Sequence, residues 1–143
     1  MKIDVPYRLR KVNVADNNLA TDCYYIASEF VGDAHGFIES IPYDVNVLGR
    51  PMFVAEKSGG FVVGFIMGRV QNATDAEITS LYVTARAHRT GIASRLLGEM
   101  EQYFGARGIR QINVISRPKA IPFYQACNYA RVRPESHFLQ KTL

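Results

Sequence analysis

The stretch HRTGIASRLL (residues 88–97) passes from a basic, glycine-containing segment directly into a helical pattern. The apolar residues that follow the spacing of one helix face are Ile92, Leu96, Leu97, Met100, Tyr103 and Phe104. Gly105 and Gly108 are suited to end this helix. The first N–H groups of a helix lack internal partners and, together with the helix dipole, attract anions. The stretch therefore predicts a turn at Gly91 that binds an anion, most suitably a phosphate. The alternative is an ordinary glycine-containing turn before a helix.

Two segments with strand-forming composition flank this helix, AEITSLYV (76–83) and IRQINVIS (109–116). A strand–helix–strand crossover makes its two strands parallel. The segment PMFVAEKSGGFVVGFIMGRV (51–70) instead predicts two antiparallel strands joined by a tight turn at residues 58–60. We therefore predict an α/β (α+β) fold with a single mixed, mostly antiparallel central sheet, one parallel crossover pair and flanking helices.

The remaining segments are assigned by the same criteria, and no repeat or linker interrupts them. We therefore expect residues 1–143 to form a single domain. Asp16 is placed to cap a helix that begins at Asn17 or Asn18 and runs through Phe30. The other predicted elements are a strand at 7–14, a loop with a short helix at 32–44, a short helix at 120–127 and strands at 129–133 and 136–143.

Length and composition limit the class of protein. A chain of 143 residues is long enough to bury a core without disulfides. Cys23 and Cys127 lie far apart and are expected to be small buried hydrophobic residues, with no metal site. The opening segment MKIDVPYRLRKVNV carries charges where a signal peptide would be apolar, and no apolar run is long enough to span a bilayer. We expect a soluble, cytoplasmic protein without a membrane partner.

The positive charge is concentrated in the part of the chain that contains the glycine turn. From Arg86 to Lys119 there are seven basic and two acidic residues, a net charge of +5, whereas the whole chain carries +4. A basic patch of this kind serves solubility or binds polyanions in general. Nucleic acid is an alternative partner, but no helix-turn-helix, RNP or zinc pattern supports it.

Residues 77–132 resemble the GCN5-related N-acetyltransferases, the GNAT superfamily. The family pattern Gln/Arg-x-x-Gly-x-Gly/Ala matches at residues 88–93, with His88 in the first place. A second pattern, Asn-x-x-Ala-x-x-x-Tyr followed by Gly-Phe, matches at Ala120 and Tyr124. The chain departs from it at Arg117, which replaces the Asn, and at Asn128 and Tyr129, which replace Gly-Phe. The segment FVAEKSGGFVVGFIMG also resembles the second and third strands of the family.

The resemblance implies acetyl-CoA as cosubstrate. Its pyrophosphate would lie on the backbone amides of residues 89–94, with a hydrogen bond or charge from His88. Its pantetheine would pair like an added strand with the backbone of strand 76–83. Arg117 would reach a phosphate or face solvent, and both remain open. The expected coenzyme-binding residues are Leu81, Val83, His88, Arg89, Thr90, Gly91, Ile92, Ala93, Ser94 and Arg117.

The resemblance also implies direct attack of an amine on the thioester in a ternary complex. Tyr124 matches the family's general acid, which protonates the leaving thiolate; the alternative is an aromatic residue that only packs. The usual position of the base holds Thr79, and Glu77 is the candidate base because residues 77 and 79 share a face in a regular strand. A bulge, which the family often has there, would change which face Glu77 occupies, and the alternative for Glu77 is a solvated charge. A covalent acyl group on Cys127 is disfavoured. Weaker candidates for the base are Tyr82, Glu56 and His35.

The acceptor is left open by the sequence. Residues 24–44 combine aromatic and acidic side chains, which suit a cationic amine and equally suit a packed helix pair. The first hypothesis is an acetyl-CoA-dependent N-acetyltransferase acting on a small-molecule or protein amine. The alternatives are a non-catalytic acyl-CoA-binding or interaction module of the same fold and a nucleic-acid binder using residues 86–119. A homodimer is possible for the family, and the acyl group is either acetyl or longer.

Overall fold

The structure is a computed structural model that describes residues 7–143, apart from the side chains of residues 35 and 37. The described residues contain seven strands, β1 (Arg8–Lys11), β2 (Met52–Lys57), β3 (Phe61–Val70), β4 (Asp75–Val83), β5 (Gln111–Ile115), β6 (Ala130–Arg131) and β7 (Phe138–Thr142). They also contain five α-helices, α1 (Asn17–Ser28), α2 (His35–Glu39), α3 (Ile41–Asn46), α4 (Ile92–Gly105) and α5 (Ile121–Ala126). Short 3₁₀ turns lie before α4 and α5.

The strands form one sheet in the order β1-β2-β3-β4-β5-β7-β6. β4 and β5 pair in parallel through the α4 crossover, and the other neighbours pair antiparallel. The predicted fold class is thereby confirmed. Several boundaries differ from prediction. β1, β5, β6 and β7 are shorter than the predicted segments, and α1 ends at Ser28 instead of Phe30. The expected loop with a short helix at 32–44 holds α2 and the beginning of α3.

Helices cover both faces of the sheet, which gives the molecule two core layers. The α4 side of the sheet packs against the buried stripe of α4, with Leu96, Met100 and Phe104 fully buried. The α1 side packs α1, α2 and α3 against β2 and β3, around Met52 and Phe65. Each fully buried side chain of this size contributes about 1.5–3 kcal/mol. The sheet is therefore packed on both faces, and residues beside an opening between its strands are supported by both core layers.

The start of α1 is fixed as the sequence predicts. Asp16 accepts a hydrogen bond from the Leu19 N–H at 2.8 Å, which satisfies one of the unpaired donors of the first turn. The Asn46 side chain joins this cap to α3, because its amide accepts from the Ala15 N–H at 2.9 Å and donates to the Ala15 carbonyl. α1 is thus held at its first turn, and its other end is directed toward the end of β4.

No helix within residues 7–143 is both long enough and apolar enough to cross a bilayer. The first six residues of the segment that argues against a signal peptide lie outside the described residues. The side chain of His35, one of the weaker candidates for the base, also lies outside them.

Candidate active site

The central feature of the site is a gap in the sheet between β4 and β5. The two strands pair from Asp75↔Gln111 to Ile78↔Val114 and then separate. Residues 78–83 and 114–117 line a cavity of about 790 Å³ that is completed by the beginning of α4 and by α5. This volume lies in the range of small-molecule and cofactor pockets.

A bulge in β4 accompanies the gap. Met67 of β3 pairs with Ser80 and Gly68 pairs with Ile78, so Thr79 is the extra residue of β4. Bulges bend a strand and increase its twist. Beyond Thr79 the side-chain parity is shifted, and Leu81 packs against the α4-side core whereas Tyr82 packs against the α1-side core.

A polar network holds the paired end of β4 and β5 together. The Asp75 carboxylate accepts hydrogen bonds from Gln111 at 3.1 Å and Asn113 at 3.2 Å, both on β5. Hydrogen bonds, first from Thr74 and then from Asn113, lower the pKa of the Asp75 carboxyl. The carboxylate form is therefore favoured, and the strands diverge only beyond this point.

The backbone of Leu81 and Val83 is directed into the gap. Thr84 donates its N–H to Val63 of β3 at 2.8 Å. Because the backbone groups of successive residues alternate in an antiparallel ladder, those of Leu81 and Val83 point away from β3. With β5 displaced, the edge of β4 can accept a ligand that pairs like a strand.

The turn before α4 has the backbone conformation that the sequence predicts for an anion site. Gly91 is the N-cap residue, with φ of +80°, and it provides no side-chain cap for the helix. Arg89 also has a positive φ, +64°. The Thr90 hydroxyl donates to the Ala87 carbonyl and the Ser94 hydroxyl donates to the Gly91 carbonyl at 3.0 Å, so both hydroxyls brace the turn. The first N–H groups of α4 border the cavity.

Tyr124 lines the cavity from α5 and is 5% exposed. Its ring packs edge-on against Phe123 and Tyr129, with centroids 5.1 Å and 5.6 Å away. Burial raises the pKa of the Tyr124 phenol, and the nearby Arg117 charge opposes this rise. The phenol is therefore protonated throughout the neutral range.

The comparison with protein families decides the membership of this chain. The model described as the acetyltransferase (GNAT) family matches residues 17–129. The chain belongs to the GNAT acetyltransferase family. The match spans α1 to the residue before β6 and so includes the gap, the glycine turn and Tyr124. A search of curated proteins gives no significant match.

Solved structures share this fold over nearly the whole chain. Ard1 from Thermoplasma volcanium is 18% identical, with a TM-score of 0.76 and coverage of 96% of this chain and 97% of that chain. GCN5 from Tetrahymena is 16% identical, with a TM-score of 0.74 and coverage of 96% and 95%. A GNAT family N-acetyltransferase from Escherichia coli in complex with CoA is 15% identical, with a TM-score of 0.72 and coverage of 99% and 84%. At these identities the likeness concerns the fold.

His88 replaces the first residue of the GNAT turn pattern and makes a contact within the chain. Its Nε2 lies 3.0 Å from the Val83 carbonyl oxygen, and its ring stacks on Phe30 with centroids 5.6 Å apart. Because a carbonyl only accepts, Nε2 carries the hydrogen in this contact. His88 therefore ties the turn to the end of β4 and occupies one of the backbone acceptors that face the gap.

Glu77 does not line the cavity. Its carboxylate accepts hydrogen bonds from Gln71 at 3.0 Å and from Arg69 at 3.3 Å, and the latter is also an ion pair. The bulge puts Glu77 on the same face as Ser80 and Tyr82. Tyr82 does line the cavity, and burial raises its pKa. Glu56 pairs with Arg10 on β1, so it is engaged elsewhere.

The structure places Arg117 at the cavity with aromatic contacts that the sequence did not predict. Its guanidinium lies over the rings of Phe30 and Tyr82, at 5.0 Å and 5.1 Å from their centroids. Of the aromatic residues expected near an acceptor, Phe30 lines the cavity, whereas Tyr25 and Tyr43 are exposed.

Glu29 was not singled out by sequence reasoning as a positioning residue. Its carboxylate accepts hydrogen bonds from the Thr84 hydroxyl at 2.8 Å and the Ala85 N–H at 2.9 Å. It thereby fastens the end of α1 to the segment between β4 and the glycine turn. In the sequence, Glu29 is marked only by its position in the last turn of the predicted first helix. Many solvated glutamates occupy such positions. Among residues 7–143, no group of three or more His, Cys, Asp or Glu side chains is arranged to hold a metal ion.

Proposed function

We propose that this protein is an N-acetyltransferase that transfers the acetyl group of acetyl-CoA to a primary amine by direct attack in a ternary complex. The observation that carries the proposal is the open edge of β4, which leads from the uncapped first turn of α4 to the Tyr124 phenol. Family membership supports an acyl-CoA-dependent N-acyltransferase, and the E. coli structure with CoA shows that this fold accommodates the coenzyme.

The proposed coenzyme site extends along the gap, from the turn before α4 to the open edge of β4. The pyrophosphate binds the backbone amides of residues 89–94, where Arg89 and Lys119 add positive charge. The pantetheine amides pair with the backbone of Leu81 and with the Val83 N–H, as an additional strand would, because the Val83 carbonyl already accepts from His88. The small side chains of Gly91 and Ala93 allow close approach to the turn. Arg117 as a coenzyme contact stays a prediction.

The proposed chemistry divides into two proton transfers. The amine attacks the thioester carbonyl carbon, and the tetrahedral intermediate collapses with loss of the CoA thiolate, which has a pKa of about 8.5 for a free thiol. Tyr124 donates its proton to this sulfur. An alkyl amine with a pKa of about 10 must also lose a proton. Glu77 is the predicted base, and since it does not line the cavity we assign it a role through intervening water.

The alternative is a non-catalytic acyl-CoA-binding module. The engagement of Glu77 by Arg69 and Gln71 outside the cavity favours it, because the predicted base then has no direct contact with an acceptor in the cavity. The two functions predict the same coenzyme binding and differ only in turnover.

Calorimetric titration tests the donor, with ATP as a control polyanion. We expect micromolar binding of acetyl-CoA and much weaker binding of ATP. Equal binding of acetyl-CoA and ATP would show that the Gly91 turn binds phosphates in general, and the proposal would lose its evidence for a coenzyme site.

Release of free CoA thiol with a panel of primary amines tests turnover. We expect Tyr124→Phe to lower kcat at least 10²-fold, the lower range of general acid catalysis, with acetyl-CoA affinity nearly unchanged. Tyr129→Phe is the matched control, because Tyr129 packs against Tyr124 but hydrogen-bonds Glu101 instead of lining the cavity. Tight acetyl-CoA binding with no turnover for any amine would support the non-catalytic module.

A further inference from the structure

Arg117 is a half-buried cation at the α1-side opening of the gap. It follows Ser116, which is 5% exposed and is fixed by a hydrogen bond from its N–H to the His137 carbonyl at 2.8 Å. Tyr82, beneath the guanidinium, belongs to the α1-side core, whereas Tyr124 belongs to the α4-side core. Arg117 therefore stands on the opposite side of the gap from the proposed general acid.

The Arg117 charge has no acidic partner in the described part of the chain. The ion pairs between described side chains are Arg10–Glu56, Arg50–Asp44, Arg69–Glu77 and Lys141–Glu101. Withdrawing a cation from water is costly unless an anion or hydrogen-bond acceptors compensate it. Aromatic faces such as those of Phe30 and Tyr82 compensate only in part. The cavity therefore holds a half-buried cation that no acidic side chain of the described residues neutralises.

The shape of the guanidinium indicates which anion fits. A guanidinium that lies over aromatic rings keeps its N–H donors at its edge, and these match the two oxygens of a carboxylate. Arg117 differs from the other basic residues of the cavity in its burial. Arg89 and Lys119 are exposed, whereas Arg117 is half-buried over the rings of Phe30 and Tyr82.

We propose that Arg117 binds a carboxylate carried by the acceptor, so that the acceptor is an amine with an adjacent carboxylate, as in a free amino acid. The inference rests on the proposed function and names the substrate class of that site. A cation close to the reacting nitrogen also disfavours the ammonium form of the acceptor. The same residue would then orient the acceptor and favour the uncharged amine that attacks the thioester. Polyamines, which carry no carboxylate, would be poor acceptors.

Two bisubstrate analogues test the inference without knowledge of the acceptor's side chain. In both, the CoA sulfur is joined through a methylene-carbonyl group to glycine; one ends in a carboxylate and the other in the neutral carboxamide. We expect the carboxylate analogue to bind the wild-type protein at least about tenfold more tightly, as for a charge-assisted bidentate pair. In Arg117→Gln this preference should vanish, and in Arg117→Lys it should be partly retained. Arg110→Gln, an exposed arginine outside the cavity, is the matched control.

CoA alone separates the possible failures. If neither CoA nor the analogues bind the wild-type protein, the proposed function itself is wrong. If both analogues bind equally, the acceptor has no carboxylate subsite and the inference is overturned. If Arg117→Gln weakens CoA and both analogues by the same factor, Arg117 is a coenzyme contact and the inference is overturned as well. Only a loss confined to the carboxylate analogue supports it.

Discussion

Asn128 shows how a departure from the family pattern preserves a backbone conformation. It replaces the glycine that precedes the family's aromatic residue, and its φ is +73°. Asn is the non-glycine residue that enters this left-handed region most readily. The adjacent Tyr129 is buried and donates to Glu101 at 2.7 Å, so it keeps the packing of a Phe and adds a hydrogen bond. The sequence revealed both departures, but only backbone angles and contacts show that they are compatible with the fold.

Substitutions at Asn128 test this interpretation. We expect Asn128→Ala to lower the free energy of unfolding by about 1 kcal/mol, because alanine is strained in the left-handed region. Asn128→Gly should be neutral or stabilising. Urea unfolding followed by circular dichroism measures both. Equal stability of the alanine and glycine variants would show that the left-handed conformation does not constrain this position.

The bulge in β4 is the feature of a secondary-structure element that is hardest to predict from the sequence. Alternation predicts which residues are buried in a regular strand, but a bulge shifts that alternation at a single residue. The face of the sheet on which the side chains of Glu77 and Thr79 lie could therefore not be decided from the sequence. Gly68, which pairs with Ile78 beside the bulge, gives the one local signal, because a glycine inside a strand often marks a bulge or a close approach.

Gly68→Ala tests the close packing at this point. An added Cβ would lie 2.9 Å from the Phe104 ring and 3.0 Å from the Glu77 carbonyl oxygen. Phe104 is fully buried and cannot move freely, so we expect a loss of about 1–3 kcal/mol in the free energy of unfolding. Acetyl-CoA affinity should fall too, because β4 carries the edge that we propose pairs with pantetheine. Urea unfolding measures the change in the free energy of unfolding, and calorimetric titration measures the change in acetyl-CoA affinity.

Gly98→Ala is the matched control for that substitution. Gly98 lies in α4, and an added Cβ there meets nothing within 4 Å. Alanine should therefore stabilise the helix by about 0.5–1 kcal/mol and leave acetyl-CoA affinity unchanged. A Gly68→Ala variant as stable as the wild type would refute the packing argument.

Across the whole molecule, the sequence predicts the elements that carry their own local signal and misses contacts between distant segments. The α4 stripe, the Gly91 turn and the parallel crossover were predictable because each depends on residues close in sequence. The bonds from Glu29 to residues 84 and 85 and the position of Arg117 over Phe30 depend on how α1 lies against the gap. Such contacts follow from packing of the complete sheet, which no local pattern encodes.

The global stability should respond to alkali in a way that reports on the buried phenols of the site. Burial raises the pKa of Tyr82, Tyr124 and Tyr129 above the usual tyrosine value. In the unfolded chain these groups lose their protons near pH ~10. Above that pH the folded state retains protons that the unfolded state has lost, so the free energy of unfolding falls as the pH rises. Below about pH 9 both states are protonated, and these groups add no pH dependence.

Tyr124→Phe should therefore reduce the alkaline slope of stability by about one proton, or about 1.4 kcal/mol per pH unit, between pH ~10 and ~12. Urea unfolding at a series of pH values measures this slope in each variant. Tyr25→Phe is the control, because the Tyr25 side chain is 66% exposed and its hydroxyl is not withdrawn from water on folding. If Tyr124→Phe and the wild type lose stability equally steeply, the phenol is not kept protonated by the fold. The Tyr124 hydroxyl would then ionise alike in the folded and unfolded chains, and burial would not withdraw it from water.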